Sequence, residues 1–259
     1  MRIIKILINK YNRHLVKVLT MGFLTFLFIL ILVQTSFAKQ SGLWDYSAKI
    51  GLNLGGTMPF PIPANINKIE SYSPNLFPTI EAEALRWISK EIGISAGIRL
   101  DNKGMRTTAK VKEYSINYDK FEGKFDGTVD TDISVNYIGL PILAHYVFTE
   151  NFFVYAGAYY AYMISGEFKG AAYDGILREK DDIRMDVPTA TPQNYDFSEE
   201  LRNHDAGLSL GLSVLPYNEH LMFSFDFNYG LMSIFPNDFN GIAYDMQNIY
   251  GKFSVGYLF

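Results

Sequence analysis

The chain has 259 residues, 23 Lys+Arg against 27 Asp+Glu, a formal net charge of −4 and no cysteine. It is 48% hydrophobic and rich in tyrosine (18) and phenylalanine (20). Without cysteine it has neither disulfide staples nor thiolate metal sites, and its acidic balance excludes the basic stripe that a nucleic-acid partner requires.

Residues 1–18 carry Arg2, Lys5, Lys10, Arg13 and Lys17 with no acidic residue. An uncharged apolar run of fourteen residues follows (20–33), and then QTSFAKQ, where Ser36 and Ala38 hold the small-x-small positions of a signal peptidase site. These parts predict a signal peptide over residues 1–38, cleaved after Ala38, and hence an exported protein. A membrane anchor would need about 20 apolar residues. Loss of the five basic residues leaves 18 basic against 27 acidic, a net charge of −9. A short lead, residues 39–45, then precedes one domain over residues 46–259.

That domain reads as eight segments with a period of two, the signature of strands whose faces meet different surroundings. In residues 46–54, Ala48, Ile50, Leu52 and Leu54 oppose Ser47, Lys49, Gly51 and Asn53. In residues 76–85, Ile80, Ala82 and Ala84 oppose Thr79, Glu81 and Glu83. Residues 92–101 set Ile94, Ile98 and Leu100 against Ser95, Arg99 and Asp101. The fourth segment, near residues 133–148, sets Ile138, Leu140 and Ile142 against Gly139, Pro141 and His145. Its first residues, Ile133 and Val135, have the opposite parity. Either a β-bulge near residues 136–137 restores one apolar face, or the strand begins at Tyr137.

Residues 152–164 are apolar on both parities; placing Gly157 inside sends Val154, Ala156, Ala158, Tyr160 and Tyr162 outward. Residues 206–214 alternate cleanly, Leu208, Leu210 and Leu212 against Ser209, Gly211 and Ser213. Residues 221–230 set Phe223, Phe225 and Phe227 against Ser224, Asp226 and Asn228. The last strand runs to the terminal Phe259, with Phe253, Val255 and Tyr257 on its parity. Connections alternate between short turns (86–91, 149–151, 216–220) and long polar stretches (55–75, 102–132, 165–205, 231–248). Sorting loops by length to opposite ends is the layout of an outer-membrane barrel with both termini in the periplasm.

A soluble barrel would show the same alternation with its faces exchanged. The polar parity decides for the membrane, because it is dense in glycine and serine, which suit the crowded interior of eight strands. Enclosed there, Lys49, Arg99 and Lys252 would have to pair with Glu81, Glu83, Asp101 and Asp226, since an unpaired buried charge is very costly. This network is expected to be a salt-bridge plug. Aromatics at strand ends (Tyr46, Trp87, Tyr146, Phe148, Phe152, Tyr229, Tyr257, Phe259) are expected to form interfacial girdles.

Catalytic signatures are missing: there is no GxSxG, HExxH or phosphate-binding glycine loop. His145 is expected to be a packed interior residue. His204 with Asp205 near the outer rim is the one candidate for a lipid-modifying site. Asp181, Asp182 and Asp186 do not follow a calcium-loop spacing and read as a solvated loop. No cofactor or metal is expected.

The stretches YSAKIGLNLGG, IGISAGIRLDNKG, NYIGLPILAHYVF, VYAGAYYAYMISG, DAGLSLGLSV and YGKFSVGYLF, in this order and spacing, resemble the PorT-like outer-membrane β-barrel domain family, typical of Bacteroidetes. The resemblance spans the mature chain. It implies an eight-stranded antiparallel up-and-down barrel, monomeric, in contact with outer-membrane lipid. By the same resemblance, Phe253, Val255, Tyr257 and Phe259 belong to the signal that the barrel-assembly machinery reads. The resemblance implies fold and location and hardly any activity; the leading expectation for the role is non-enzymatic, a scaffold or binding component of the cell envelope with an envelope or secretion protein as partner on its loops. The alternatives are a narrow porin and, third, a lipid-modifying rim enzyme.

Overall fold

Strands that alternate over their whole length need backbone partners on both sides, and the chain provides them by closing a ring. The computed structural model describes residues 44–60, 62–74, 76, 78–118, 121–149, 151–178, 184–216, 220–242 and 244–259. The expected signal segment with Ser36 and Ala38 lies outside the described residues, as do most of the 39–45 lead, Asp181 and Asp182.

The described strands are β1 (Trp44–Pro59), β2 (Ile66–Pro74), β3 (Pro78–Trp87), β4 (Ile92–Tyr118), β5 (Phe121–Thr149), β6 (Phe152–Arg178), β7 (Arg184–Val187), β8 (Gln193–Asp196), β9 (His204–Val214), β10 (Leu221–Ser233) and β11 (Met246–Leu258). Eight of them pair in the cycle β1-β3-β4-β5-β6-β9-β10-β11, every pair antiparallel. The seam joins β1 to β11, with Ser47 opposite Leu258 and Pro59 opposite Met246. This is the expected eight-stranded up-and-down barrel, and closure removes the free edges that an open sheet would expose.

The two parities face as the sequence predicts. Leu210 and Ile142 are each 61% exposed on the outside, whereas Arg99 and Lys252 are 2% and 1% exposed within. In β6, Ala156, Ala158, Tyr160 and Tyr162 point out while Tyr155 and Tyr159 are buried inside. An outward belt of leucine, isoleucine and phenylalanine on seven or more strands far exceeds the apolar patch that a water-soluble surface tolerates. The solvent it fits is lipid.

Three expectations need correction. First, no bulge turns Ile133 and Val135 outward, and β5 does not begin at Tyr137. Ile133, Val135 and Tyr137 share one inward parity and are fully buried. The irregularity at Asn136–Tyr137 sits on the partner strand, where β6 passes from Met163 to Ser165 against them. Second, residues 102–132 and much of 165–205 are not loops. β4, β5 and β6 continue as a sheet beyond the barrel's long-loop end, joined there by β2 on β4 and by β7 and β8 on β6. Register shifts beside Glu113 and Asp174, both at φ 52°, bend this projection. Third, Trp87 does not join a girdle. Its indole donates to Asp45 Oδ2 at 2.7 Å and its ring packs 6.2 Å from Phe153. Trp44, Tyr46, Tyr146, Phe148 and Phe259 remain exposed around the short-turn end.

Candidate functional site

The lumen is filled from one end to the other, beginning near the short turns. The register sets Lys49 beside Glu81, and Glu81 beside Arg99, on three neighbouring strands. Lys49 Nζ reaches Glu81 Oε1 at 3.1 Å and Glu83 Oε2 at 2.7 Å. Lys252, from the far side of the seam, pairs with Glu81 Oε2 and lies 3.5 Å from Asp226 Oδ2. The structure thus brings Lys49, Glu81, Glu83, Asp226 and Lys252 into one chain of contacts. Arg99 pairs with Asp101, and donates to the Tyr250 hydroxyl at 3.0 Å. Thr79 donates to the other oxygen of Asp101 at 2.7 Å. His145 Nε2 shares a hydrogen bond with Ser95 Oγ at 2.8 Å, and lies 3.5 Å from Glu83.

Glycine makes room for the aromatic part of this filling. Tyr155 lies in register with Gly211, and Tyr159 with Gly207. A Cβ on Gly207 would stand 2.7 Å from the Tyr159 ring, closer than real Cβ contacts come. With glycine there, each ring lies across the neighbouring strand and its hydroxyl reaches a carboxylate: Tyr155 donates to Asp226 at 3.0 Å and Tyr159 to Asp205 at 3.1 Å.

The next layer toward the long-loop end centres on Lys103. Its ammonium pairs with Asp205 Oδ2 at 2.7 Å and sits 4.6–4.7 Å from the rings of Tyr137, Tyr159 and Tyr250. Asn248 also donates to Asp205, at 2.9 Å. Such a cage combines an ion pair with cation–π attraction in a desolvated place. Lys103 and Asp205 continue the inward parity of Arg99 and Gly207, so reading β4 two residues further and β9 one residue earlier would have found them. The lumen then holds four cations (Lys49, Arg99, Lys103, Lys252) against five carboxylates (Glu81, Glu83, Asp101, Asp205, Asp226) among the described residues.

Above the cage the filling turns apolar. Ile133, Val135 and Phe168 of the wall meet Phe197, Leu201, Ile234 and Phe235 from the connections before β9 and after β10. Phe235 stacks on Phe239 at 4.2 Å and meets Phe168 edge-on at 5.1 Å. Arg202 ties the two connections together, donating to Ser233 O and Phe235 O at 3.0 Å each. This is a lid across the barrel's mouth. The inward turn of Ile133 and Val135 follows from it, since the interior that far along the strand is an apolar core.

His204 and Asp205 do not converge. His204 is exposed on the outside and bonds the Tyr160 hydroxyl at 2.9 Å, while Asp205 is buried in the lumen. His220 Nδ1 lies 2.8 Å from Leu258 O, its ring 5.3 Å from Tyr257. Asp186 is exposed on β7. No group of three or more His, Asp or Glu residues among the described ones is placed to hold a metal ion. Along β11, Phe253, Val255, Tyr257 and Phe259 share the outward parity; Phe253 packs 4.7 Å from Phe225, and Phe259 N donates to Tyr46 O at 2.8 Å.

In the projection, Tyr195 bonds Thr131 Oγ1 and Asp130 O, each at 2.9 Å, and burial pushes its pKa up. Two hydrogen bonds from Ser198 hold Asp196 below the usual carboxylate range.

A family model described as outer membrane protein beta-barrel domain matches residues 34–236. No curated protein matches the chain. Among solved structures, the attachment invasion locus protein Ail of Yersinia pestis is similar at 11% identity, over 83% of this chain and 98% of that one, with a TM-score of 0.39. The outer membrane protein OprG from Pseudomonas aeruginosa is 11% identical over 83% and 95%, TM-score 0.32. Neisserial surface protein A is 10% identical over 84% and 96%, TM-score 0.31.

Proposed function

The chain belongs to the outer membrane protein beta-barrel domain family, and from that premise we propose that it is a non-enzymatic binding component of the cell envelope. Its barrel acts as the anchor and its projection as the working part. The observation that carries this reading is the filled lumen: a salt-bridge network, the Lys103 cage and an apolar lid follow one another along the axis. An eight-stranded barrel is just wide enough for its own side chains. What lies beyond the lid is a large paired sheet with a hydrophobic cluster of its own, Val111, Phe125, Val129, Ala172, Leu177 and Val187. Both termini then face the periplasm and the projection faces outward. The finer form of the reading, implied by the PorT-like resemblance, is a place in protein secretion, with an envelope or secretion protein docked on the projection. The barrel-assembly machinery would read the end of β11.

The test compares the full chain with a version in which residues 108–130 are replaced by a short turn joining Thr107 to Thr131, which face each other in register. Pull-downs from native envelopes are expected to recover a partner with the full chain and to lose it with the trimmed one. The same preparations in planar bilayers are expected to show no steady conductance. A reproducible single-channel step from the full chain would reject the anchor reading in favour of a narrow porin.

A further inference from the structure

The ion pairs of the lumen leave one negative charge over, and following each carboxylate finds its place. Asp101 has Arg99 and the Thr79 hydroxyl, and Asp205 has Lys103, Asn248 and the Tyr159 hydroxyl. Asp226 has the Tyr155 hydroxyl and shares Lys252 with Glu81. Glu81 and Glu83, two residues apart on β3, also divide the single ammonium of Lys49. Glu83 is therefore the surplus carboxylate. Its Oε2 meets Lys49 at 2.7 Å, while its Oε1 meets no lysine or arginine among the described residues and faces His145 Nε2 at 3.5 Å.

The surroundings of His145 are set by four strands. Nε2 shares its hydrogen bond with Ser95 of β4, Glu83 approaches from β3, and the imidazole packs 4.9 Å from the Tyr155 ring of β6. Lys49 of β1 lies 5.7 Å from that same Tyr155 ring. Toward the short turns the pair borders a cavity of about 40 Å³, room for about two waters. Asp45, Ser47, Lys49 and Trp87 complete its polar wall, with Asp45 accepting from the Trp87 indole. Asp45, Trp87 and Leu258 are only partly buried there, so the pair is reached from the short-turn end, whereas the Lys103 cage and the lid close the other.

An enclosed charge without a counter-charge is very costly. Crowded carboxylates, or an imidazole facing a carboxylate, relieve that cost by holding a proton. We propose that Glu83 and His145 form a proton-binding site at the short-turn mouth of the lumen. Between them they hold the one proton that makes four cations and five carboxylates neutral, and they exchange it with the periplasm through the small cavity. The proton belongs to the pair, since two groups this close titrate as a unit.

The proton is read directly in the full chain folded in lipid nanodiscs. At neutral pH one of two signatures is expected at one equivalent per barrel. One is a set of imidazolium ring-nitrogen shifts from His145. The other is the carbonyl stretch of a protonated carboxylic acid that moves when glutamate carboxyls carry carbon-13. Neither needs a substitution, and Glu81 and Glu83 are the only glutamates in the lumen among the described residues. Glu83→Gln leaves four cations facing four carboxylates, and is expected to abolish the acid band and leave His145 neutral. Transfer of the folded barrel to heavy water is expected to shift whichever signature is present. A neutral His145 with no glutamic acid band would overturn the proposal. So would a band that survives Glu83→Gln, an imidazolium indifferent to that substitution, or a signature untouched by heavy water. The inference rests on the filled lumen of the anchor reading, and the two fail separately. A conductance step rejects the anchor, whereas a proton-free pair in a silent barrel rejects only the site.

Discussion

Lys252 holds two carboxylates, Glu81 and Asp226, from a position 1% exposed. Removing it leaves Glu81 with Lys49 alone and Asp226 with only the Tyr155 hydroxyl, and breaking a buried pair from one side costs about 3–5 kcal/mol. Lys252→Met is therefore expected to lower the barrel's unfolding free energy in lipid by that amount. Glu83→Gln is expected to cost far less, because Lys49 keeps Glu81 and the lumen has one carboxylate more than cations. Urea titrations followed by the mobility difference between folded and unfolded barrel measure both. Equal losses would mean that the charges are solvated individually. The residues of this network were legible because a strand's parity assigns each side chain a side before any contact is known. Which cation meets which carboxylate was not, since pairing depends on the stagger between strands, and that is a property of the closed ring. Lys103 and Asp205 escaped because they stand just past the points where apolar alternation stops.

At the scale of the element, β9 is the plainest case. Leu208, Leu210 and Leu212 face out and Ser209, Gly211 and Ser213 face in. Placing arginine at Leu210 puts a charge near mid-bilayer and is expected to cost about 2–4 kcal/mol. Ser209→Thr keeps the hydroxyl that donates to Asn228 at 2.7 Å and is expected to be mild. Yields in a membrane-insertion assay check the pair, and tolerance of Leu210→Arg would contradict the assigned lipid face. The long strands were harder to read than β9 for a physical reason. Hydropathy alternates only where the two faces of a strand meet different media. Past the membrane both faces of β4 and β5 meet water or a small local core, so TTAKVKEY and FDGTVDTD show no clean period although they pair on both sides of one register shift. The apolar lid shows the converse limit. Phe197 and Leu201 sit singly among polar residues, Ile234 and Phe235 form a pair some thirty residues on, and only the folded connections bring them together.

The whole molecule is an inside-out core. Apolar side chains on the barrel's outer wall meet lipid, charged ones are enclosed and paired, and a conventional apolar core forms only beyond the belt, at the lid and in the projection. Burial in the usual sense stabilises the projection, while closure and internal ion pairs stabilise the anchor, which separates the two parts energetically as well as in space. This division is what the binding-component reading uses. Because the chain contains no cysteine, single cysteines at positions 206–214 carry spin labels without background. In liposomes, collision rates with oxygen, which concentrates in lipid, and with a water-soluble nickel complex decide the matter. The account predicts a period of two: high oxygen access at positions 208, 210 and 212, and protection from both reagents at 209, 211 and 213. Nickel access at 208, 210 and 212, or the loss of the period, would contradict it.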